Sequence, residues 1–541
     1  MPPLRSLIVL AVAAAFGVPM AAGAQAQILV NTTEYIHPVE AFHCVAASQP
    51  CSFNAAIERG QSSFGAVVSA CFEAGNPRCL QEDDPNYDPA TGLWRLQIGD
   101  PFDPFIVDRD DMIIDFTANI EGWAGPQDNR VAIEIASEEQ QKELFLVEGS
   151  GNQFAGFQIV GQTSIALFVV RAVVQGSVAA DNVFGPGLVL AGQTEGVGIR
   201  MRGPGVTQNR VVGSWCGVQG DGTDVAGLAE HCVEITEGAN RNTIGGPNPE
   251  DGNVFAANLA SAIAITDAAS RDNVVEGNLI GLDATGITPA GNATGIALAA
   301  QATGTKVFAN IISGNTIDGI LADNTSTEFG RIITRIEDNY IGPDKSGDQG
   351  PGNEGCGIKV RGLSKNVNIK NNRIWHNALC GVEISGGNAR DNTVTRNSIT
   401  RNNGRAILVT QGANNGVEAP AIAVAAAERV TGAACPGCTI EVFSDGFDEA
   451  ESYEGTTVAD AAGAWVLEKP GGFKYRFVTT TATDGKNTSA LSKAKIVAGG
   501  VRPTRTPTII PGQTPTATST PGIVLFGIRL PWVGNRVLVR R

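Results

Sequence analysis

The feature that most narrows the fold is a phrase that recurs between Val275 and Ile399: an apolar residue, two variable positions, Asn, one variable position, Ile. Its copies are Val275/Asn278/Ile280, Val307/Asn310/Ile312, Ile336/Asn339/Ile341, Ile369/Asn372/Ile374 and Val394/Asn397/Ile399. A small residue and then alternating apolar positions follow most copies, as in Gly295-Ile296-Ala297-Leu298, Gly357-Ile358-Lys359-Val360 and Gly381-Val382-Glu383-Ile384. Self-similarity every few tens of residues, with strand alternation and no helical pattern, is what a stack of parallel β coils requires. Alternation sends Ile296, Leu298, Ile358, Val360, Val382 and Ile384 inward, and Lys359 and Glu383 to water. Coils stacked about 4.8 Å apart bring equal positions into contact. The five asparagines should then form one column at a turn, each amide donating to one neighbour and accepting from the other. A net gain of roughly 1 kcal/mol per hydrogen bond explains such a column without any ligand.

Two longer stretches carry a family resemblance. Residues 278–286 with 291–296, and residues 339–347 with Gly352 and Asn353, resemble the bacterial right-handed parallel β-helix repeat proteins, over roughly residues 145–412. The resemblance implies an all-β chain built on a right-handed parallel β-helix. It implies no single activity, because that fold carries lyases, hydrolases, epimerases and adhesins alike.

The first 26 residues have Arg5, an apolar run from Leu7 to Phe16 and Ala24-Gln25-Ala26, the layout of a secretory signal. That run is too short to span a membrane. A secreted or bacterial cell-surface location is expected. Export turns the even set of 10 cysteines into disulfides rather than metal or redox ligands. Cys356 and Cys380 precede equivalent Gly-apolar phrases, so they fall on adjacent coils at a disulfide's Cα separation. Cys216 with Cys232, and Cys435 with Cys438, are the other pairings expected; the partners of Cys44, Cys51, Cys71 and Cys79 are left open. A net charge of -16 argues against nucleic acid or an anionic membrane as the main partner.

Residues 27–100 read as a separate N-terminal cap. Val30-Asn31-Thr32-Thr33, Cys44 and Cys51-Ser52-Phe53 resemble the bacterial CSLREA domain, with Phe53-Asn54-Ala55 where that family has Leu-Arg-Glu. Ser52 is placed to N-cap a short helix with Phe53, Ala56 and Ile57 on one side. Such a helix would cover the open first coil, whose bare strand edges invite pairing with other chains. The β-helix is expected over 101–418. Over 419–498, short strand runs separated by Gly and Asp turns indicate a small β-sandwich, and with Ala482-Thr483-Asp484 they resemble bacterial Ig-like modules. Residues 499–522 are a Pro/Thr-rich spacer. The tail, 523–541, is apolar but broken by Arg529, Pro531 and Arg536, so no membrane span is expected; its basic end resembles those of bacterial sorting tails.

Hydrolytic β-helix enzymes need stacked carboxylates. Here Glu337 and Asp338 face Lys370 and Asn371 on the next coil, so the acids are not continued. Lyases and uronate epimerases need cations and a base. From Lys359 to Arg405 lie nine basic residues, Lys359, Arg361, Lys365, Lys370, Arg373, Arg390, Arg396, Arg401 and Arg405, against Glu383 and Asp391. By register Tyr340 stacks on Arg373 and His376 lies over Arg401, with Trp375 beside them. Tyr340, Arg373, His376 and Arg401 are the catalytic candidates; Lys370, Trp375 and Arg396 are the ligand-contact candidates. The competing reading is that these cations keep a repetitive surface soluble and pair across coils, as Lys359 with Glu383. Asp221, Asp224, Asp283, Asp344 and Asp348 sit in loops where Asx turns account for them; calcium there is the one cofactor considered. His37, His43, His231 and His376 lack metal-ligand spacing. The expected role is non-catalytic binding of carbohydrate or a cell surface, the alternative a lyase or epimerase acting on acidic glycans. Oligomeric state is not legible.

Overall fold

The computed structural model describes residues 27–30, 51–61, 65–70, 76, 79–98, 104–117, 133–137, 141–161, 163–174, 176–220, 222–325 and 333–498. The signal-like segment, His37, His43, Cys44, Cys71, Asp221, the spacer and the tail lie outside them. Each coil contributes three short strands, and equal strands of successive coils pair in parallel. Among the described residues this builds a first sheet of 12 strands ending at Thr393–Thr395, a second of 12 ending at Ser398–Thr400, and a third of 11 ending at Ile407–Thr410. The chain is thus a parallel β-helix with a small β-sandwich after it.

Like stacks on like inside the bore. Ile263, Ile296, Ile320, Ile358, Val382 and Ile407 pair in one continuous register on the third sheet. All six are buried, and removing each from water stabilises the stack by about 1.5–3 kcal/mol. In the early coils phenylalanines do the same work: Phe145 stacks on Phe168 at 4.7 Å, and Phe154 on Phe184 at 5.2 Å.

The corners are made by asparagine. Between the first and second sheets, Asn253, Asn278, Asn310, Asn339, Asn372 and Asn397 form a column in which each Nδ2 donates to the next Oδ1 at 2.9–3.0 Å. The five asparagines of the repeat phrase fall in this single column, and Ser214 stands one coil earlier, its N–H donating to Asn253. Two further columns turn the other corners. Asn152, Asn182, Asn209, Asn242 and Asn273 link the third sheet to the first. Asn258, Asn292, Asn315, Asn353, Asn377 and Asn402 link the second to the third. The residue before most column asparagines has positive φ: Gly277, Ala309, Asp338, Asn371 and Arg396 in the first column, Gly314, Gly352, His376 and Arg401 in the third. A left-handed residue bends the chain by a corner and aims the following amide at the stack.

The helix Phe53–Gln61 closes the N-terminal end. Ser52 caps it, its Oγ accepting from the Ala55 N–H at 3.3 Å, and Phe53 inserts edge-on between Phe105 at 5.2 Å and Phe145 at 6.3 Å. The segment read as a separate cap also supplies solenoid strands: Gln27–Val30 pairs in parallel with Val67–Ala70, and that strand with Ile113–Asp115. At the other end, a three-stranded and a five-stranded antiparallel sheet pack over Val430, Ile440, Val442, Trp465 and Val478. Phe443 and Ala450 of this module belong instead to the core of the solenoid.

Disulfides join Cys356 to Cys380, Cys216 to Cys232 and Cys435 to Cys438. The first pair has its Cα atoms 4.4 Å apart, the distance between neighbouring coils. Cys51 and Cys79 are disulfide-bonded as well.

Candidate ligand-binding site

The outer face of the second sheet is apolar along its middle, and loops roof it. Val189, Trp215, Val218, Val254, Ala256 and Ala290 form one buried cluster there. Toward the C-terminal end the same outward column continues as Ile311, Tyr340, Arg373 and Ser398. There the roof is the loop 342–352. Arg373 Nη1 donates to the Gly347 carbonyl at 2.6 Å and to Asp348 Oδ1 at 3.3 Å.

The planar groups form a ledge. The Arg373 guanidinium carbon lies 5.1 Å from the Tyr340 ring centre and 4.5 Å from that of Trp375; Arg401 lies 5.0 Å from Trp375. Cation–π contacts of this kind contribute about 0.5–2 kcal/mol. Trp375 is only 6% exposed, and its Nε1 donates to Ser398 Oγ at 3.1 Å. It therefore acts as the spacer that fixes two guanidinium groups. Tyr340, at 39%, turns its ring to solvent. His376 Nε2 meets the Asp348 carbonyl at 3.2 Å; a carbonyl only accepts, so Nε2 holds the proton and Nδ1 is the basic nitrogen. Arg401 donates to the same carbonyl at 3.4 Å.

The structure thus gathers Tyr340, Arg373, Trp375, His376 and Arg401 at one place. Lys370 and Arg396 are not with them. Lys370 is on the first sheet, in register with Glu337 and Thr395, and Arg396 stands over Tyr453 of the C-terminal module at 5.6 Å. The nine late cations do not make one cationic face. Lys359 and Arg361 project from the third sheet, paired with Glu383 at 3.4 Å and Asp323 at 2.8 Å. The reason is the corner: Asn371 and Asn372 separate Lys370 from Arg373, so residues three apart point from different sheets.

Asp283 and Asp344 take donors from their own loops. Asp283 Oδ1 accepts from Thr285 Oγ1 at 2.5 Å, and Asp344 Oδ1 from Ser346 N at 2.8 Å. Among the described residues, the cluster with metal-ligand proximity is Cys356, Cys380 and Glu383, whose two sulfurs are bonded to each other.

Sequence reasoning passes over several buried acids. Asp318 occupies the place of Cys356 and Cys380 one coil earlier, two residues before the inward Ile320. Its Oδ1 accepts from the Cys356 N–H at 2.8 Å, and burial pushes its carboxyl above the ordinary range. The alignment with the two cysteines was the available signal. Glu441, Asp445 and Glu449 of the C-terminal module carried no such signal, because their partners are remote in sequence.

A sequence profile for a right-handed β-helix region matches residues 332–422, which gives the solenoid its hand. No curated protein matches the chain by sequence. Among solved structures, the mannuronan C-5 epimerase AlgE4 A-module of Azotobacter vinelandii aligns with TM-score 0.40 and 13% identity, covering 68% of this chain and 96% of that one. The periplasmic alginate epimerase AlgG aligns with TM-score 0.32 and 12% identity, covering 64% and 73%. Tailspike protein 2 of the Escherichia coli O157:H7 bacteriophage CAB120 aligns with TM-score 0.26 and 9% identity, covering 88% and 69%. At these scores the likenesses say nothing about activity. Among the described residues, no helix is long and apolar enough to cross a membrane.

Proposed function

We propose that the protein is a non-catalytic binder whose rigid solenoid presents the Tyr340, Arg373 and Arg401 ledge to a carboxylated polysaccharide, on a cell surface or in the medium. The observation that carries this reading is the pair of guanidinium groups held against Trp375, at 4.5 Å and 5.0 Å from its ring centre. Their spacing is fixed by the fold, and Arg401 meets a carbonyl rather than a carboxylate. Planar guanidinium groups pair with carboxylates in bidentate fashion, and the exposed Tyr340 ring offers a sugar a stacking surface. Export is supported by the disulfides and by the signal-like first 26 residues. The CSLREA-like start and Ig-like end fit a displayed protein; attachment through the tail would be lost in a chain ending at Gly499, read as protease accessibility on intact cells.

Affinity electrophoresis through gels containing alginate, pectate or a neutral glucan tests the binding. Retardation by the two acidic polymers alone is expected, weakened about tenfold or more by Arg401→Ala or Arg373→Ala. Equal retardation by the neutral glucan would refute an acidic ligand. The same samples are read for ultraviolet absorbance: unsaturated product that disappears in Arg373→Ala would replace this reading with a lyase using Tyr340 or His376 as base.

A further inference from the structure

The last coil is not left open. Across it the C-terminal module lays three buried carboxylates, each taking donors that a further coil would have taken. Glu441 accepts from Thr395 Oγ1 and from the Arg396 N–H at 2.9 Å. Asp445 accepts from Thr400 Oγ1 at 2.7 Å. Glu449 accepts from both the N–H and Nδ2 of Asn402, the end of the third asparagine column, at 3.4 Å each. Around them, Ala450 bridges Ile399 in antiparallel fashion, Asn487 accepts from the Asp391 N–H at 2.7 Å, and Thr488 from the Val394 N–H at 3.0 Å. Glu441, Asp445 and Glu449 are 6%, 0% and 8% exposed.

The charges facing this cluster do little to neutralise it. Arg396 on the last coil faces Glu441. Glu449 faces Asp445 and the backbone of Arg401, and Asp445 faces Glu451. Glu451 is bonded by the Tyr475 hydroxyl, with the Arg401 side chain nearby. Lys469 is taken by Glu454 at 3.1 Å. Buried carboxylates with more acidic than basic neighbours favour their protonated forms. We propose that the C-terminal module is held on the solenoid by a proton-controlled latch, tight while Glu441, Asp445 and Glu449 are protonated and loosened when they ionise.

The direction follows from linkage. Burial raises Glu441 and Asp445 above the ordinary carboxylate range, and burial first, then the charge of Asp445, raises Glu449 to about 7. A carboxyl with a raised value when docked gives its full stabilisation below its undocked value and loses it as pH rises through the docked one. With 4.5 undocked and about 7 docked, Glu449 alone weakens docking about 30-fold between roughly pH 5.5 and 8.5.

Hydrogen exchange on the full chain, corrected for intrinsic rates at each pH, tests the latch. Peptides covering 394–403 should lose about 30-fold or more of their protection across that interval, while peptides covering 334–342 keep theirs. Glu449→Gln, which keeps the acceptor without the charge, should remove most of the dependence; Asp445→Asn is the second variant should the first not fold. Protection of 394–403 that is flat with pH, that falls equally in 334–342, or whose dependence survives both substitutions would overturn the proposal. None of these readouts involves a glycan, so the latch stands or falls apart from the binding reading.

Discussion

Asn339→Ala removes one amide from the middle of the first column. Asn339 is fully buried. Its Oδ1 accepts from the N–H and Nδ2 of Asn310, both at 3.0 Å. Its Nδ2 reaches Asn372 Oδ1, the Val307 carbonyl and the Glu337 carbonyl, all at 2.9 Å. Some of these groups have other partners: Asn310 Nδ2 also donates to the Val275 carbonyl, and Asn372 Oδ1 still receives the Asn339 N–H. The Asn310 N–H and the inward carbonyls do not recover so easily, and water does not reach them. Two buried groups left unsatisfied, at about 1–3 kcal/mol each, give an expected loss of about 2–6 kcal/mol. Asn368→Ala is the control: its Nδ2 donates to Glu337 Oε1 at 2.8 Å on the half-exposed outer face, where about 1 kcal/mol or less is at stake. Guanidinium chloride unfolding of both variants gives the comparison. A loss in Asn339→Ala no larger than in Asn368→Ala would show that the amide columns follow from the coil rather than hold it.

Two more outcomes follow from the third sheet. Replacing both Cys356 and Cys380 by Ser opens a loop with a sequence separation of 24 and should cost about 3.5 kcal/mol by loop entropy, seen as a lower denaturant midpoint under non-reducing conditions. Asp318→Asn keeps the acceptor for the Cys356 N–H and removes a charge that burial disfavours. Because the folded carboxyl is raised, the wild type loses stability as pH rises through it. The variant should therefore melt higher than wild type near neutral pH and equal to it near pH 4; a gain at both would assign the effect to something other than ionisation.

The coil register is legible because the repeat phrase keeps Asn two residues before a buried Ile, and a one-residue slip would turn Ile341 or Ile374 out to water. The other two columns were legible in principle. Asn182 before Phe184 and Asn242 before Ile244 repeat the same spacing, while Asn315, Asn353 and Asn377 stand five residues before Ile320, Ile358 and Val382. One shorter corner, Asn292 to Ile296, breaks that series. The pairing of Tyr340 with Arg373 follows from the same register. The division of the nine cations among three sheets does not, since it depends on which residues take left-handed φ, and Arg396 and Arg401 are not residues that announce a corner. The contact of Glu449 with Asn402 is illegible for a different reason: only the docking of one folded module on another brings residues 47 apart together.

The amide columns have a direction. In every link, on all three corners, the Nδ2 of one coil donates toward the C-terminus and the Oδ1 looks back. The amide dipoles add along the axis as peptide dipoles do in a helix. The solenoid is therefore electrically polar, positive where the coils end and negative where they begin. That polarity makes the two ends of the stack opposite in sign, and each is covered by a different element: the Phe53–Gln61 helix at one and the sandwich at the other.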